Sequence, residues 1–269
     1  MKSDSCTMPP AMILCGGRGT RLREITELLP KPMVTVGSQP IVWHIMRIYA
    51  AYGVNRFILC LGYKKEAFID YFNHLHSRVC DMTITIGGEK LYHGAFPEAG
   101  WEITLADTGI DTATGGRIAR AAKYLRPDDR DFFLTYGGGV ADIDIGALLD
   151  THKKAGKMIT CSAVHPAGRF GKMSFKDGLV AGFEPDSGAG EYVNGGFMAL
   201  KRETVERYIG DEDCFFEQRP MLDALRDGEL YAYKHDGFWQ CMDTPREYEL
   251  LNELWRTNRA PWRKGWQDV

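Results

Sequence analysis

The sequence predicts an α/β fold, a mixed and mainly parallel sheet sandwiched by helices, with a small β-rich subregion in its second half. Three observations carry this reading. The chain opens as strand, Gly-rich loop, helix, strand, helix, the alternation of a parallel sheet covered by helices. A later apolar run, 131–136, ends in Gly137-Gly138-Gly139, and in an open α/β sheet ligands bind where strands end at their carboxyl side. Beyond residue 166 the pattern turns strand-rich.

Taken in order, 11–14 reads as a short buried strand, and 40–51 has apolar residues at helical spacing. The run 56–61, RFILCL, is a buried strand closed by Gly62, and 64–72 is a helix. Strands at 82–86 and 102–106 follow, then the turn-rich DTGIDTATGGR leading into a helix at 118–125. After the strand 131–136 come a helix at 145–155, strands at 158–164, 178–183 and 192–200, helices at 204–209 and 220–227, and a strand at 230–234. A helix over 245–256 closes the pattern. No linker or repeat divides the chain, so 11–269 reads as one domain behind a flexible segment 1–10, with its core at about 11–165 and a second region at about 166–244.

Composition narrows the function. A chain of 269 residues with net charge -3 and no massed basic residues offers no nucleic-acid surface. No run approaches the roughly 20 apolar residues that a bilayer requires, and the N-terminus has no apolar leader segment, so a cytoplasmic, membrane-free protein is expected. Seven cysteines without CxxC spacing indicate neither a disulfide framework nor a zinc site. Cys15, Cys60 and Cys161, inside apolar strands, read as small core residues.

The chemistry concentrates in LCGGRGTRLREITELLPKPM. Glycines at 16, 17 and 19 let a backbone approach a ligand and turn several N–H groups one way, while Arg18, Arg21 and Lys31 add cationic partners for phosphate. The third glycine of the dinucleotide fingerprint is missing, and no Lys-Ser/Thr pair stands at P-loop spacing.

The stretches ILCGGRGTRL, PKPMV, TLADTG, TGGR, TYGGGVADIDI, PAGRFG, VNGGF and GFWQCMDT, in this order, resemble the sugar-1-phosphate nucleotidylyltransferases, and among them the glucose-1-phosphate cytidylyltransferases. The resemblance implies a Rossmann-like nucleotidyltransferase fold and a Mg²⁺-dependent attack of a sugar phosphate on CTP, giving a CDP-linked product and pyrophosphate. It implies that Leu14, Gly16, Gly17, Arg18, Gly19 and Thr20 line the nucleotide, with Arg21 and Lys31 on its phosphates. Thr112, Gly115, Gly116 and Arg117 would meet base and ribose. Tyr136, Gly171, Asn194, Gly195 and Trp239 would face the acceptor, and Asp243 would be a metal ligand. A homo-oligomer is also implied.

Three departures stand against that pattern. Gly138 occupies the place of the second metal-binding aspartate, and Asp142 and Asp144 match other family positions. A lysine is missing before Pro185. The acidic residue of an Arg-Glu-Pro-Leu motif becomes Arg219 in QRPM, which makes the expected site more positive. Two readings follow: Asp243 and CTP hold a metal with help from Arg219 and act on an altered phosphorylated acceptor, or the protein binds the nucleotide with little turnover.

Overall fold

The computed structural model describes residues 8–19, 28–166, 172–176, 179–184, 192–210 and 213–266. Its strands and helices are numbered in chain order: β1 Ala11–Leu14, β2 Thr35–Val36, β3 Gln39–Pro40, α1 Ile41–Ala50, β4 Arg56–Leu61, α2 Lys65–Asn73, α3 Leu75–Val79, β5 Asp81–Ile84, β6 Lys90–His93, β7 Glu102–Asp107, α4 Thr114–Ala121 and β8 Asp131–Tyr136. There follow β9 Gly139–Ala141, α5 Ile145–Ala155, β10 Ile159–Val164, β11 Lys172–Lys176, β12 Leu179–Glu184, β13 Val193–Lys201, α6 Arg219–Arg226, β14 Leu230–His235, β15 Trp239–Cys241 and α7 Pro245–Arg256.

A seven-stranded sheet, ordered β14-β10-β13-β8-β1-β4-β7, forms the centre, and β13 alone in it runs antiparallel to its neighbours. Its inner strands β1, β4 and β8 are buried on both faces because helices cover both, which is why they read as continuous hydrophobic runs, whereas the edge strands β7 and β14 are partly exposed. Ala11, Ile13, Phe57, Leu59, Phe133 and Phe197 face one layer with α1, α5 and α7; Met12, Ile58, Cys60, Phe132, Leu134 and Met198 face the other with α4 and α6. Each fully buried Ile or Phe here contributes roughly 1.5–3 kcal/mol relative to exposure. The mixed, mostly parallel sheet between helices is the architecture that the sequence predicts.

Several boundaries moved. The helix expected at 118–125 starts at Thr114, because Asp213 and Cys214 accept from the backbone N–H groups of Ala113 and Gly115, at 2.7 Å each, and so cap the first turn from outside. The segment Val205–Ile209 is a π-helical turn. The strand near 178–183 pairs with an unforeseen partner, β11, as an antiparallel hairpin in the region expected to be β-rich. The short ribbon of β9 with β15 and the strand β6 were also unforeseen.

The tryptophans of the C-terminal region finish the core: Trp262 is 1% exposed and its Nε1 donates to His44 Nδ1 at 3.3 Å. With Nδ1 accepting, His44 is the neutral tautomer that donates from Nε2 to Val36 O at 2.9 Å. Cys15 and Cys60 are buried free thiols, pushed up by burial, Cys60 to about 12, and are inert core residues as expected; Cys161 is only partly buried. No helix among the described residues is long and apolar enough to cross a membrane.

Burial holds His44 down to about 4 from an ordinary 6.5. Between those values the unfolded chain binds a proton that the folded one excludes, so stability must fall as pH drops through about 6.5 and keep falling to about 4. Denaturant titrations across this window should show a loss of about 3 kcal/mol from this residue. His44→Gln should be less stable at neutral pH and lack that share of the slope; an unchanged slope would assign it elsewhere.

Candidate active site

At the carboxyl edge of the sheet, β1 and β8 end side by side, with Leu14 paired to Tyr136. The loop after β1 and the Gly137-Gly138 turn after β8 therefore open into one cleft. A cavity of about 240 Å³ is lined by Leu14, Cys15, Gly17, Gly19, Lys31, Pro32, Tyr136, Gly137, Gly138 and Asp243. A larger one of about 690 Å³ shares Lys31, Tyr136, Gly138 and Asp243, and extends past Asn194, Gly195 and Trp239.

Lys31 and Asp243, far apart in sequence, meet at the junction: Lys31 Nζ lies 2.5 Å from Asp243 Oδ1, both side chains mostly buried. Pro30 and Pro32 set the backbone around Lys31, which opens a 3-10 turn closed by Val34 N donating to Lys31 O at 3.0 Å. Asp243 is placed by the ribbon: Cys241 pairs with Gly139, and Met242 N donates to Gly138 O at 2.8 Å. The following helix then locks the main chain. Thr244 and Glu247 form a capping box, and Glu247 Oε2 accepts from the backbone N–H groups of Asp243 and Thr244 at 2.7 and 2.9 Å. Thr244, rather than Asp243, caps α7, which leaves the Asp243 carboxylate for Lys31.

Arg117 takes a different place from the expected one. It is 4% exposed, and its guanidinium donates to the carbonyls of Leu61, Gly109, Gly16 and Ile110 and to Thr108 Oγ1, at 2.7–3.1 Å. It braces the glycine loop from behind and lines neither cavity. Gly16 is glycine because a Cβ there would overlap this guanidinium; its main chain also faces Arg117 and Tyr63 rather than the cavity. Gly115 and Gly116 likewise give room to Cys214 and Asp213, and Thr112 Oγ1 accepts from Arg120 at 2.6 Å, so all three serve packing. Arg18 is exposed, paired to Asp111 at 2.7 Å and outside both cavities. Arg219 is exposed at the start of α6, also outside them. Thr20, Arg21, Gly171 and the turn at Pro185 lie outside the described residues.

In the larger cavity, Trp239 Nε1 donates to Gly195 O at 2.8 Å, and Asn194 Oδ1 accepts from Gly196 N at 2.9 Å, so Trp239 and Asn194 shape its wall. Sequence reading missed Glu217. Its carboxylate accepts from Tyr136 Oη at 2.5 Å and from Thr114 Oγ1 at 2.7 Å, restoring an acid that the Arg219 substitution had seemed to remove. Burial and this acid push the Tyr136 phenol well up, so it stays protonated and donates. Met221, Leu222, Leu225 and Leu230 make the outer wall apolar. For the three on α6 the signal lay in the helical spacing of 220–227, with nothing local to say which way it faced. Cys241 also lines this cavity, and burial beside Asp243 pushes its thiol up to about 11, which excludes it as a nucleophile.

The resemblance implies Mg²⁺ on Asp243, with Gly138 in the place of a second carboxylate. Among the described residues no cluster of three His, Cys, Asp or Glu could hold a metal, Asp243 is paired with Lys31, and residue 138 has no side chain. A resident two-carboxylate site does not fit.

A glycine loop, a lysine and a carboxylate at the carboxyl edge of a mostly parallel sheet define an enzyme that handles a phosphorylated nucleotide. The chain belongs to the nucleotidyl transferase family, whose model matches residues 10–269. It is 43% identical over 262 residues to the glucose-1-phosphate cytidylyltransferase of Salmonella typhimurium, covering 96% of this chain and 99% of that one. To the probable glucose-1-phosphate cytidylyltransferase of Bacillus subtilis it is 37% identical, over 94% and 98% of the two chains. In fold it is similar to HddC from Yersinia pseudotuberculosis, with a TM-score of 0.64 and 23% identity over 92% of this chain and all of that one. The inositol-1-phosphate CTP transferase from T. maritima superposes with a TM-score of 0.60 at 17% identity over 92% and 96%.

Adjacent glycines with different duties give a sharp test. Gly16→Ala should destabilise the protein by about 1–3 kcal/mol, because the Arg117 brace has no room to give. A Cβ on Gly17 meets nothing within 4 Å, so Gly17→Ala should stay within about 0.5 kcal/mol of the parent. Equal losses in urea unfolding would contradict the division of labour.

Proposed function

We propose that the protein transfers the cytidylyl group of CTP to the phosphate of a sugar 1-phosphate. An acceptor oxygen forms a bond to the α-phosphorus as the bond to the β-phosphate bridging oxygen breaks, and the electron pair leaves with pyrophosphate. The observation that carries this is the near full-length similarity to glucose-1-phosphate cytidylyltransferases, joined to a Gly17-Gly19-Lys31 cavity that opens directly into a second one. Such a transfer requires in-line positioning and cationic stabilisation, with no covalent protein intermediate. In this reading the small cavity takes the triphosphate, with the backbone of Gly17 and Gly19 against it and Lys31 at the α-phosphate, where charge accumulates.

The larger cavity takes the acceptor. Asn194 and Glu217 supply hydrogen-bonding groups for sugar hydroxyls, and Trp239 supplies a flat wall fixed by its bond to Gly195. The apolar wall of Met221, Leu222 and Leu225 suits a sugar with few outward hydroxyls on that side. In this reading the protein works in the cytoplasm as a homo-oligomer; exposed Ile84, Ile86 and Leu91 around the β5–β6 hairpin support the latter.

Pyrophosphate release should be measured with CTP against glucose 1-phosphate and a panel of deoxy and branched sugar 1-phosphates. Turnover with CTP is expected, and silence across the panel despite CTP binding would overturn the transferase reading. Lys31→Met should lower kcat by about 10²–10³-fold, the scale of losing one preorganised charge partner in such a site. A change confined to KM would place Lys31 in ground-state binding alone.

A further inference from the structure

We propose that Lys31 is the resident cation of this centre: its ammonium fills the space of the missing second carboxylate and neutralises Asp243, so a divalent ion enters only on the nucleotide. The inference rests on reading the cleft as the triphosphate site, and four observations support it.

The first is position. A Cβ built on Gly138 would lie 2.5 Å from both Cε and Nζ of Lys31, so a side chain at 138 would grow into the volume that the ammonium holds. Second, that ammonium is 2.5 Å from Asp243 Oδ1, with the Lys31 and Asp243 side chains only 20% and 15% exposed. A carboxylate already matched by a cation has little pull on a second one, and a divalent ion on Asp243 would lie against the ammonium as a like charge.

Third, among the described residues the acids around the cleft are engaged elsewhere. Asp142 lies 3.0 Å from His235 Nε2, Asp144 caps α5 through Ala147 N, Glu217 accepts from Tyr136 and Thr114, and Glu247 closes the capping box of α7. Fourth, both partners are set by backbone devices: the prolines flanking Lys31, and the β9–β15 ribbon and capping box around Asp243. Gly138 is therefore matched to Lys31. The absent carboxylate leaves a centre whose protein-side cation is covalently attached, and Mg²⁺ is held chiefly by phosphate oxygens and water.

Mn²⁺ titration of the nucleotide-free protein, read from the free-ion EPR signal, tests this without any assay of activity. The parent protein should leave the signal unchanged. Gly138→Asp should fold, since only the flexible end of Lys31 must move, and should take up one Mn²⁺ per chain at least about tenfold more tightly. If its melting curve shows damage, G138D/K31A, which removes the overlap, replaces it. Stoichiometric Mn²⁺ on the nucleotide-free parent, lost in Asp243→Asn, would overturn the inference, as would folded aspartate variants that gain no Mn²⁺. CTP affinity in EDTA should stay within about tenfold of that in Mg²⁺, and a larger loss would again overturn it. Failure to bind CTP under either condition would refute the cytidylyltransferase reading, and the nucleotide-free Mn²⁺ arm would then judge this inference alone.

Discussion

The buried guanidinium of Arg117 is the constraint on which the cleft depends. It has no carboxylate partner among its hydrogen bonds; instead carbonyl dipoles from the loop after β1, the end of β4 and the loop after β7 converge on it. Charge-assisted bonds are among the stronger ones a buried cation can make, and an unmatched cation there would cost several kcal/mol, so these segments cannot drift apart independently. The glycine loop is thereby held through its carbonyl side, and its other side is left toward the cavity. Gly16 and Gly62 are glycines because the arginine packs against them.

What Arg117 does for the loop, the β9–β15 ribbon does for the carboxylate. Ladder pairing brings residue 241 to residue 139, a capping box locks the backbone of Asp243, and the side chain has one short reach to Lys31. The centre is thus assembled from separate places in the chain by backbone hydrogen bonding. Side chains supply only its last few ångströms. This economy explains how a glycine at residue 138, where the resemblance places an aspartate, coexists with ordered surroundings: the surroundings depend on main-chain bonds that residue 138 makes, including its carbonyl to Met242 N.

The charge pattern follows the same logic. Counting substitutions along the sequence suggested a cleft stripped of acids. In space, Glu217 returns one acid to the larger cavity, while Arg219 stands outside the cavities. Glu217 lies in the turn before α6, Arg219 opens the helix, and Gln218 between them has a non-helical backbone, so the two side chains enter different environments.

The sequence by itself determined the sheet strands, the order of the motifs and the glycine-lysine character of the site, because buried strands, Gly-rich loops and X-Pro turns are local patterns with local physical causes. Residues 11–14, 56–61 and 131–136 needed no partner to be read. It also located the departure at Gly138. Only the tertiary structure decided which motif residues face the cleft and which support it. Arg117, Gly115 and Gly116 look alike to a motif, whether they touch a ligand or a neighbouring loop; the difference is set by Leu61, Gly109 and Cys214, brought there by sheet pairing and packing. The same holds for Lys31, whose partner and whose space at residue 138 are defined by strands more than 100 residues away, beyond the reach of any local pattern.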